Sequence, residues 1–320
     1  MTDPTSGLSD PVAAQLLRWA WQEGVISDAE GERRLARMRL PVLAGGALPH
    51  GGAADVVLTA QWAAFICWVD DEFDRRGLGS QPVELEKFTA PLREVLATGR
   101  ESASPGRHAK VLAQLLQHTD PERSGRWRER FSAHYSDFLD ATEEEVALRR
   151  AGTRLSMARY VGLRRRTITV FPLLAVLERT GHTEPVEEPA LEAELSELRS
   201  AAADIAGWAN DLASQEDDRA AGQDNLLTVL ARRHHCSAAA ARTRATDMIQ
   251  QRHTGLTAAA ASLRVTPGLP QGQLDALGHH VDLVERLTAA NLHWLAVTGR
   301  FTADPITSQS VPLHPSRPWS

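Results

Sequence analysis

The sequence predicts an all-α protein, on three observations. Ala, Leu, Arg and Glu are abundant, and all four are good helix formers. Apolar residues recur at three- and four-residue spacing, the period of an amphipathic helix. Alternating Val/Ile/Thr runs joined by Asn-Gly or Asp-Gly turns are missing, so strands have little signal. In chain order, helices are expected over 10–22 and 28–40 and then, after the breaker run Pro49-His50-Gly51-Gly52, over 53–74. Gly77-Leu78-Gly79-Ser80 separates that helix from one over 82–99, and Ser104-Pro105-Gly106 leads into 106–118. Helical patterns follow over 123–149, 155–179, 188–218, 222–234 and 236–262. Pro267-Gly268-Leu269-Pro270 then precedes a last helix over 271–299.

The joints are short, no flexible linker divides the chain, and no internal repeat is present. One domain is therefore expected over 1–303. Residues 304–320, within the stretch TADPITSQSVPLHPSRPWS, are rich in Pro and Ser and are expected to lack packed structure. The 320 residues are 42% hydrophobic and 24% charged, an ordinary balance for a globular chain. A net charge of −6 gives a nucleic-acid partner no overall electrostatic support. Cys67 and Cys236 lie far apart, and Cys67 sits in an apolar run, so a disulfide is not expected. That usage, an N-terminus (MTDPTSGLSD) without basic and apolar signal regions, and no window approaching eighteen uncharged apolar residues together predict a cytoplasmic protein with no membrane span.

Two clusters carry the chemistry. WVDDEFDRR, residues 68–76, follows the uncharged run Gln61 to Val69 and places Asp70, Asp71 and Asp74 on about one helix face. Like charges held together raise one another's pKa unless a cation lies between them. Three carboxylates form a hard-oxygen site of the kind Mg²⁺ uses, with substrate phosphates and water completing its shell. The bland alternative is a helix that simply ends at the surface. The second cluster, GWANDLASQEDDR over 207–219, sets Asn210, Ser214 and Asp218 at i, i+4 and i+8, a stripe about 12 Å long. Amide, hydroxyl and carboxylate oxygens again suit Mg²⁺. A solvated face explains Gln215, Glu216 and Asp217 better than it explains Asn210, which follows Ile205, Trp208 and Ala209.

With these motifs the sequence resembles the bacterial class I terpene synthases (terpene cyclases), which carry a DDxxD-type motif early and an NDxxSxxxE/D motif much later. Here these read Asp70-Asp71-Glu72-Phe73-Asp74 and Asn210-Asp211-Leu212-Ala213-Ser214-Gln215-Glu216-Asp217-Asp218. Arg164 stands 46 residues before Asn210, where that family has a diphosphate-sensing arginine. Trp294 precedes Arg300-Phe301, where the family ends in a diphosphate-binding Arg-Tyr pair. Two positions depart from the pattern. Asp217 stands where the family often has a lysine aimed at diphosphate, and Phe301 lacks the tyrosine hydroxyl.

The resemblance covers about residues 10–301. It implies a single-domain helical bundle around a central apolar cavity and a carbon–oxygen lyase acting on a prenyl diphosphate. Farnesyl diphosphate (C15) is favoured, then the C20 and C10 homologues. The implied cofactor is three Mg²⁺ ions, with Mn²⁺ able to substitute. In this analogy Asp70 and Asp74, with Asp71 beside them, hold two ions, and Asn210, Ser214 and Asp218 hold the third. Arg164, Arg300 and Asn210 would bind diphosphate, while Phe65 and Trp294 would face the substrate carbocation. Asp70, Arg164 and Arg300 would act in ionisation. A homodimer is compatible with the resemblance. The nearest rival is a prenyl-chain elongating synthase, which would carry two aspartate-rich motifs; a non-catalytic helical scaffold would not bring these residues together. Arg165 and Arg166 read as surface or structural charge, and Glu143-Glu144-Glu145 as a solvated helix face.

Overall fold

The computed structural model describes residues 6–75, 82–100, 106–121, 125–183 and 188–301. Every element among them is a helix: α1 (Ser6–Gln22), α2 (Ala29–Met38), α3 (Leu40–Ala47), α4 (Ala53–Arg75), α5 (Pro82–Thr98), α6 (Arg107–Thr119), α7 (Gly125–Arg150), α8 (Met157–Thr167), α9 (Val170–Thr180), α10 (Glu192–Ala221, after a 3₁₀ turn at Pro189–Leu191), α11 (Leu226–His234), α12 (Ala238–Arg264) and α13 (Gln271–Val297). The Pro/Ser-rich tail over 304–320 lies outside the described residues.

The uncharged run of α4 explains its place. By length and composition alone it could cross a membrane, yet here α1, α3, α6 and α9 pack around it. Trp62, Phe65 and Val69 are wholly buried, and the Trp62 indole N–H donates to Thr119 Oγ1 at 2.7 Å. A core helix therefore ends in the carboxylates of the first motif.

Two elements depart from the sequence expectation. The short, Gly-rich α3 has little helical signal of its own and is held by α13 and α4. A Cβ on Gly46 would lie 3.0 Å from the Ala290 Cβ, so the α3–α13 approach requires glycine there. The helix expected over 155–179 is broken at Ile168–Thr169 into α8 and α9, with Thr169 at φ +61°. Pro172 favours the break: it has no N–H for the Ile168 carbonyl four residues back, and its ring would clash with that group.

The end of α13 is fastened to the α2–α3 corner. The final carbonyls of a helix have no partner within it, and Arg39 (φ +52°) turns the chain sharply after α2. Met38 O accepts from Trp294 Nε1 at 2.6 Å and from Thr298 Oγ1 at 2.9 Å, while Arg37 O accepts from Gly299 N at 2.8 Å. This clamp fixes the backbone immediately before Arg300.

Candidate active site

Four helices and the α13 terminus converge on one cavity of about 330 Å³. Helix α4 contributes Asp70, Asp71 and Phe73; α10 contributes Asn210, Asp211, Ser214, Asp217 and Asp218; α8 contributes Arg164 and Thr167; α7 contributes Thr142, Glu145 and Arg149. Arg300 and Phe301 close one side. Asp74 continues the α4 backbone, but its side chain lies outside the described residues.

Arg164 lies flat along α10. Its Nη2 donates to Asn210 Oδ1 at 2.8 Å and its Nε to Asp211 Oδ1 at 2.9 Å. Gly207 makes room for this course, since a Cβ there would sit 3.1 Å from the Arg164 Cγ. Asp211 is buried and is the hub of this wall. Besides Arg164 it accepts from Tyr160 Oη and, at 2.7 Å, from Leu226 N at the start of α11. Asn225 caps α11 by accepting from Leu227 N at 2.9 Å, and its Nδ2 donates to Asp218 Oδ2 at 2.6 Å and to Asp211 O at 2.9 Å. Ser214 Oγ donates to the same Asp218 oxygen at 2.6 Å. Across the cavity Arg300 Nη2 reaches Asp70 Oδ2 at 2.9 Å and Asp71 Oδ1 at 3.1 Å.

The electrostatics are lopsided. Seven carboxylates line the cavity against three guanidinium groups, so it attracts further cations. Burial pushes the Asp218 carboxyl above its ordinary range, although the Ser214 and Asn225 hydrogen bonds work against the shift. Burial opposes the charge of Arg164, but the Asp211 carboxylate prevails and holds the guanidinium above its usual range. Tyr160 stays protonated because burial, and then the Asp211 charge, raise its pKa.

Among the described residues no three His, Cys, Asp or Glu side chains could hold a metal by themselves. What the cavity offers a cation is a mixed set of Asp, Asn and Ser oxygens. Hard oxygen donors on two facing walls of a net-negative cavity are chemically suited to Mg²⁺ bridged by phosphate.

Residues 61–254 match the model of "Terpene synthase family 2, C-terminal metal binding", a span that contains both acidic motifs. The chain belongs to terpene synthase family 2. A 7-epi-alpha-eudesmol synthase of Streptomyces viridochromogenes, described as farnesyl diphosphate cyclizing, is 27% identical over 94% of this chain and 90% of that protein. A (−)-beta-caryophyllene synthase of Saccharothrix espanaensis is 27% identical over 92% and 85%. The crystal structure of an α-eudesmol synthase superposes with a TM-score of 0.78 at 25% identity, covering 92% of this chain and 96% of that one. The protein is thus a class I terpene synthase with the all-α fold of that family, a carbon–oxygen lyase acting on phosphates, and the family's matched region is a metal-binding one.

For this terpene synthase the structure brings Asp70, Asp71, Arg164, Asn210, Ser214, Asp218 and Arg300 to one cavity. Phe65 and Trp294 are not among its lining residues. Phe65 is wholly buried in a file of rings that leads inward from Phe73 at the wall. Phe73 meets Phe138 with centroids 6.2 Å apart, Phe138 meets Tyr135 at 5.4 Å, and Tyr135 meets Phe65 at 6.1 Å. Trp294 is buried, with its N–H committed to the Met38 carbonyl.

Arg165 and Arg166 are structural. Arg165 grips buried Asp204 with two bonds of 2.6 and 2.7 Å, and Arg166 pairs with Asp137 and Glu144. The solvated face expected at Glu143-Glu144-Glu145 is corrected. Glu143 pairs with Arg93, Glu144 pairs with Arg159 and Arg166, and Glu145 lines the cavity, because neighbouring helices cover this end of α7. Sequence reasoning also missed the hub role of Asp211 and the bridging role of Asn225. The signal for Asn225 was present: an Asn directly before Leu226-Leu227 is a helix cap.

Proposed function

We propose that this terpene synthase ionises a linear prenyl diphosphate, farnesyl diphosphate, and cyclises the resulting carbocation to a terpene with release of diphosphate. The observation that carries this reading is the meeting of both acidic motifs, Arg164 and Arg300 in a single cavity. The two relatives described as farnesyl diphosphate cyclizing support the C15 substrate.

Asp70 and Asp71 on one wall, with Asp74 of the same sequence motif, and Asn210, Ser214 and Asp218 on the other would hold Mg²⁺, three ions in all, with Mn²⁺ able to replace it. When bound, the metal supplies positive charge to the leaving diphosphate oxygens. Arg164 and Arg300 offer planar donor forks to the same anion. To do so Arg300 exchanges its carboxylate partners for phosphate oxygens, while Asp211 keeps Arg164 in place. The C–O bond of the substrate breaks to give an allylic cation and diphosphate. The isoprenoid tail would enter beside Phe73, the one member of the ring file that lines the cavity, where an aromatic face attracts a desolvated cation by about 2 kcal/mol. Phe301 and Phe73 keep water from the cation at the level of the cavity wall.

Incubation with C10, C15 and C20 diphosphates and Mg²⁺, followed by gas chromatography–mass spectrometry, tests the reading. Cyclic C15 product from farnesyl diphosphate is expected, with loss of at least a hundredfold in turnover for Asp70→Ala and Asn210→Ala. Unchanged turnover in either variant contradicts it.

A further inference from the structure

Arg149 lies in the last turn of α7, one turn beyond Glu145, and both side chains line the active-site cavity. The other two arginines that line the cavity are engaged: Arg164 is bonded to Asn210 and Asp211, and Arg300 to Asp70 and Asp71. Among the described residues Arg149 has no hydrogen-bond or ion-pair partner, although Glu145, Asp217 and Asp224 line the same cavity. Its position near the α7 C-terminus is favourable for a cation, but that alone does not account for a half-buried guanidinium left unpaired in an acid-rich cavity.

An unengaged guanidinium can bind an incoming anion without first breaking an ion pair. Arg300 has no such freedom, and Arg164 is already committed to two partners. The cavity also lacks a cation at position 217, where Asp217 lines it instead of the lysine common in the resembling family.

We infer that Arg149 is a diphosphate-binding residue of this enzyme and supplies the positive charge missing at position 217. The inference rests on the reading under Proposed function. It adds a third guanidinium to the anion site, on a helix that carries neither acidic motif.

Calorimetric titration of inorganic pyrophosphate in excess MgCl₂ tests it on the whole chain. The variants are Arg149→Gln, Arg149→Lys, Arg149→Gln with Asp217→Lys, Asn210→Ala, and Arg154→Gln in the adjoining groove. Thermal unfolding without ligand is measured for each. Arg149→Gln is expected to weaken pyrophosphate roughly ten- to a hundredfold, as loss of a charge-assisted bond predicts. Arg149→Lys should keep part of the affinity, and the double variant should regain most of it. Arg154→Gln should bind like the wild type.

Equal affinity of Arg149→Gln and wild type, with Asn210→Ala weakened, overturns the inference and leaves the functional reading standing. A lower unfolding temperature for Arg149→Gln without an affinity change also overturns it, since that is a helix-end effect alone. Failure of the wild type to bind pyrophosphate with Mg²⁺ overturns the functional reading itself.

Discussion

Replacing Asp211 with alanine should cost this enzyme both stability and its anion site. The carboxylate is 3% exposed and pairs with an Arg164 side chain that is 20% exposed, so solvent screens the pair little. Breaking such a pair by removing one partner costs about 3–5 kcal/mol, because the other charge stays buried and uncompensated. Tyr160 Oη and Leu226 N also lose their acceptor. Each unsatisfied donor can add about 1–3 kcal/mol, but the three losses share one site and do not sum. A total of about 3–5 kcal/mol is a fifth or more of the ~5–15 kcal/mol that holds a typical domain folded. With a urea slope of about 3 kcal/mol/M, the unfolding midpoint of the metal-free protein should fall by about 1–2 M. Pyrophosphate affinity, measured below the new midpoint, should fall with it, because Arg164 is no longer held beside Asn210. Asp211→Asn should lie between, since it keeps the shape and one acceptor. An unchanged midpoint in Asp211→Ala together with wild-type pyrophosphate affinity would refute the assignment of Asp211 as the hub.

Gly207→Ala should separate folding from binding. The added methyl favours the helix by up to about 1 kcal/mol but crowds the Arg164 stem at 3.1 Å, so pyrophosphate should bind more weakly while the urea midpoint holds or rises; a parallel fall in both would contradict this. For Asp218→Asn the sign follows from burial, which raises the carboxyl pKa in the folded protein. The ionised form then costs stability once pH exceeds the ordinary carboxylate range, and that cost disappears below it. The metal-free variant should accordingly melt above wild type at pH 7, with the gap closing as pH falls through the carboxylate range, while its Mg²⁺-dependent pyrophosphate binding is lost. A gap that widens on acidification would show that burial does not govern Asp218. Trp294→Phe removes the bond to Met38 O while Thr298 Oγ1 still donates to that carbonyl, so it should lower stability by about 0.5–1.5 kcal/mol; an unchanged melt would place the fastening of Arg300 elsewhere.

What the sequence revealed and what it hid divide along physical lines. Asn210, Ser214 and Asp218 were legible because helical spacing puts them on one stripe of α10, and Asp70 and Asp71 because they end the uncharged run of α4; Arg164 and Arg300 followed from the resemblance to the terpene synthases. The break before α9 was missed: the apolar pattern across it suggested one helix, and Pro172, which disfavours continuing it, decides nothing alone, since α5 runs through Pro91. Helix α3 was not, because its helicity comes from α13 packing on Gly46 and not from LPVLAGGA itself. Glu145 and Arg149 look like surface charges within an acidic run and a basic helix end. Only the packing of α7 on α8, which in turn packs on α10, turns them towards the cavity. Phe65 and Trp294 are the reverse case: aromatic residues near a motif invite a substrate role, and here neither lines the cavity, Phe65 packing in the ring file and Trp294 bonding Met38 O.

A crystal structure with Mn²⁺ and pyrophosphate, with the metals located by anomalous scattering, tests the central claim most directly. Peaks bound by the first aspartate motif on one wall and by Asn210, Ser214 and Asp218 on the other, bridged by one pyrophosphate, are the predicted result. Metal bound to only one wall, or pyrophosphate seated outside this cavity, would contradict it.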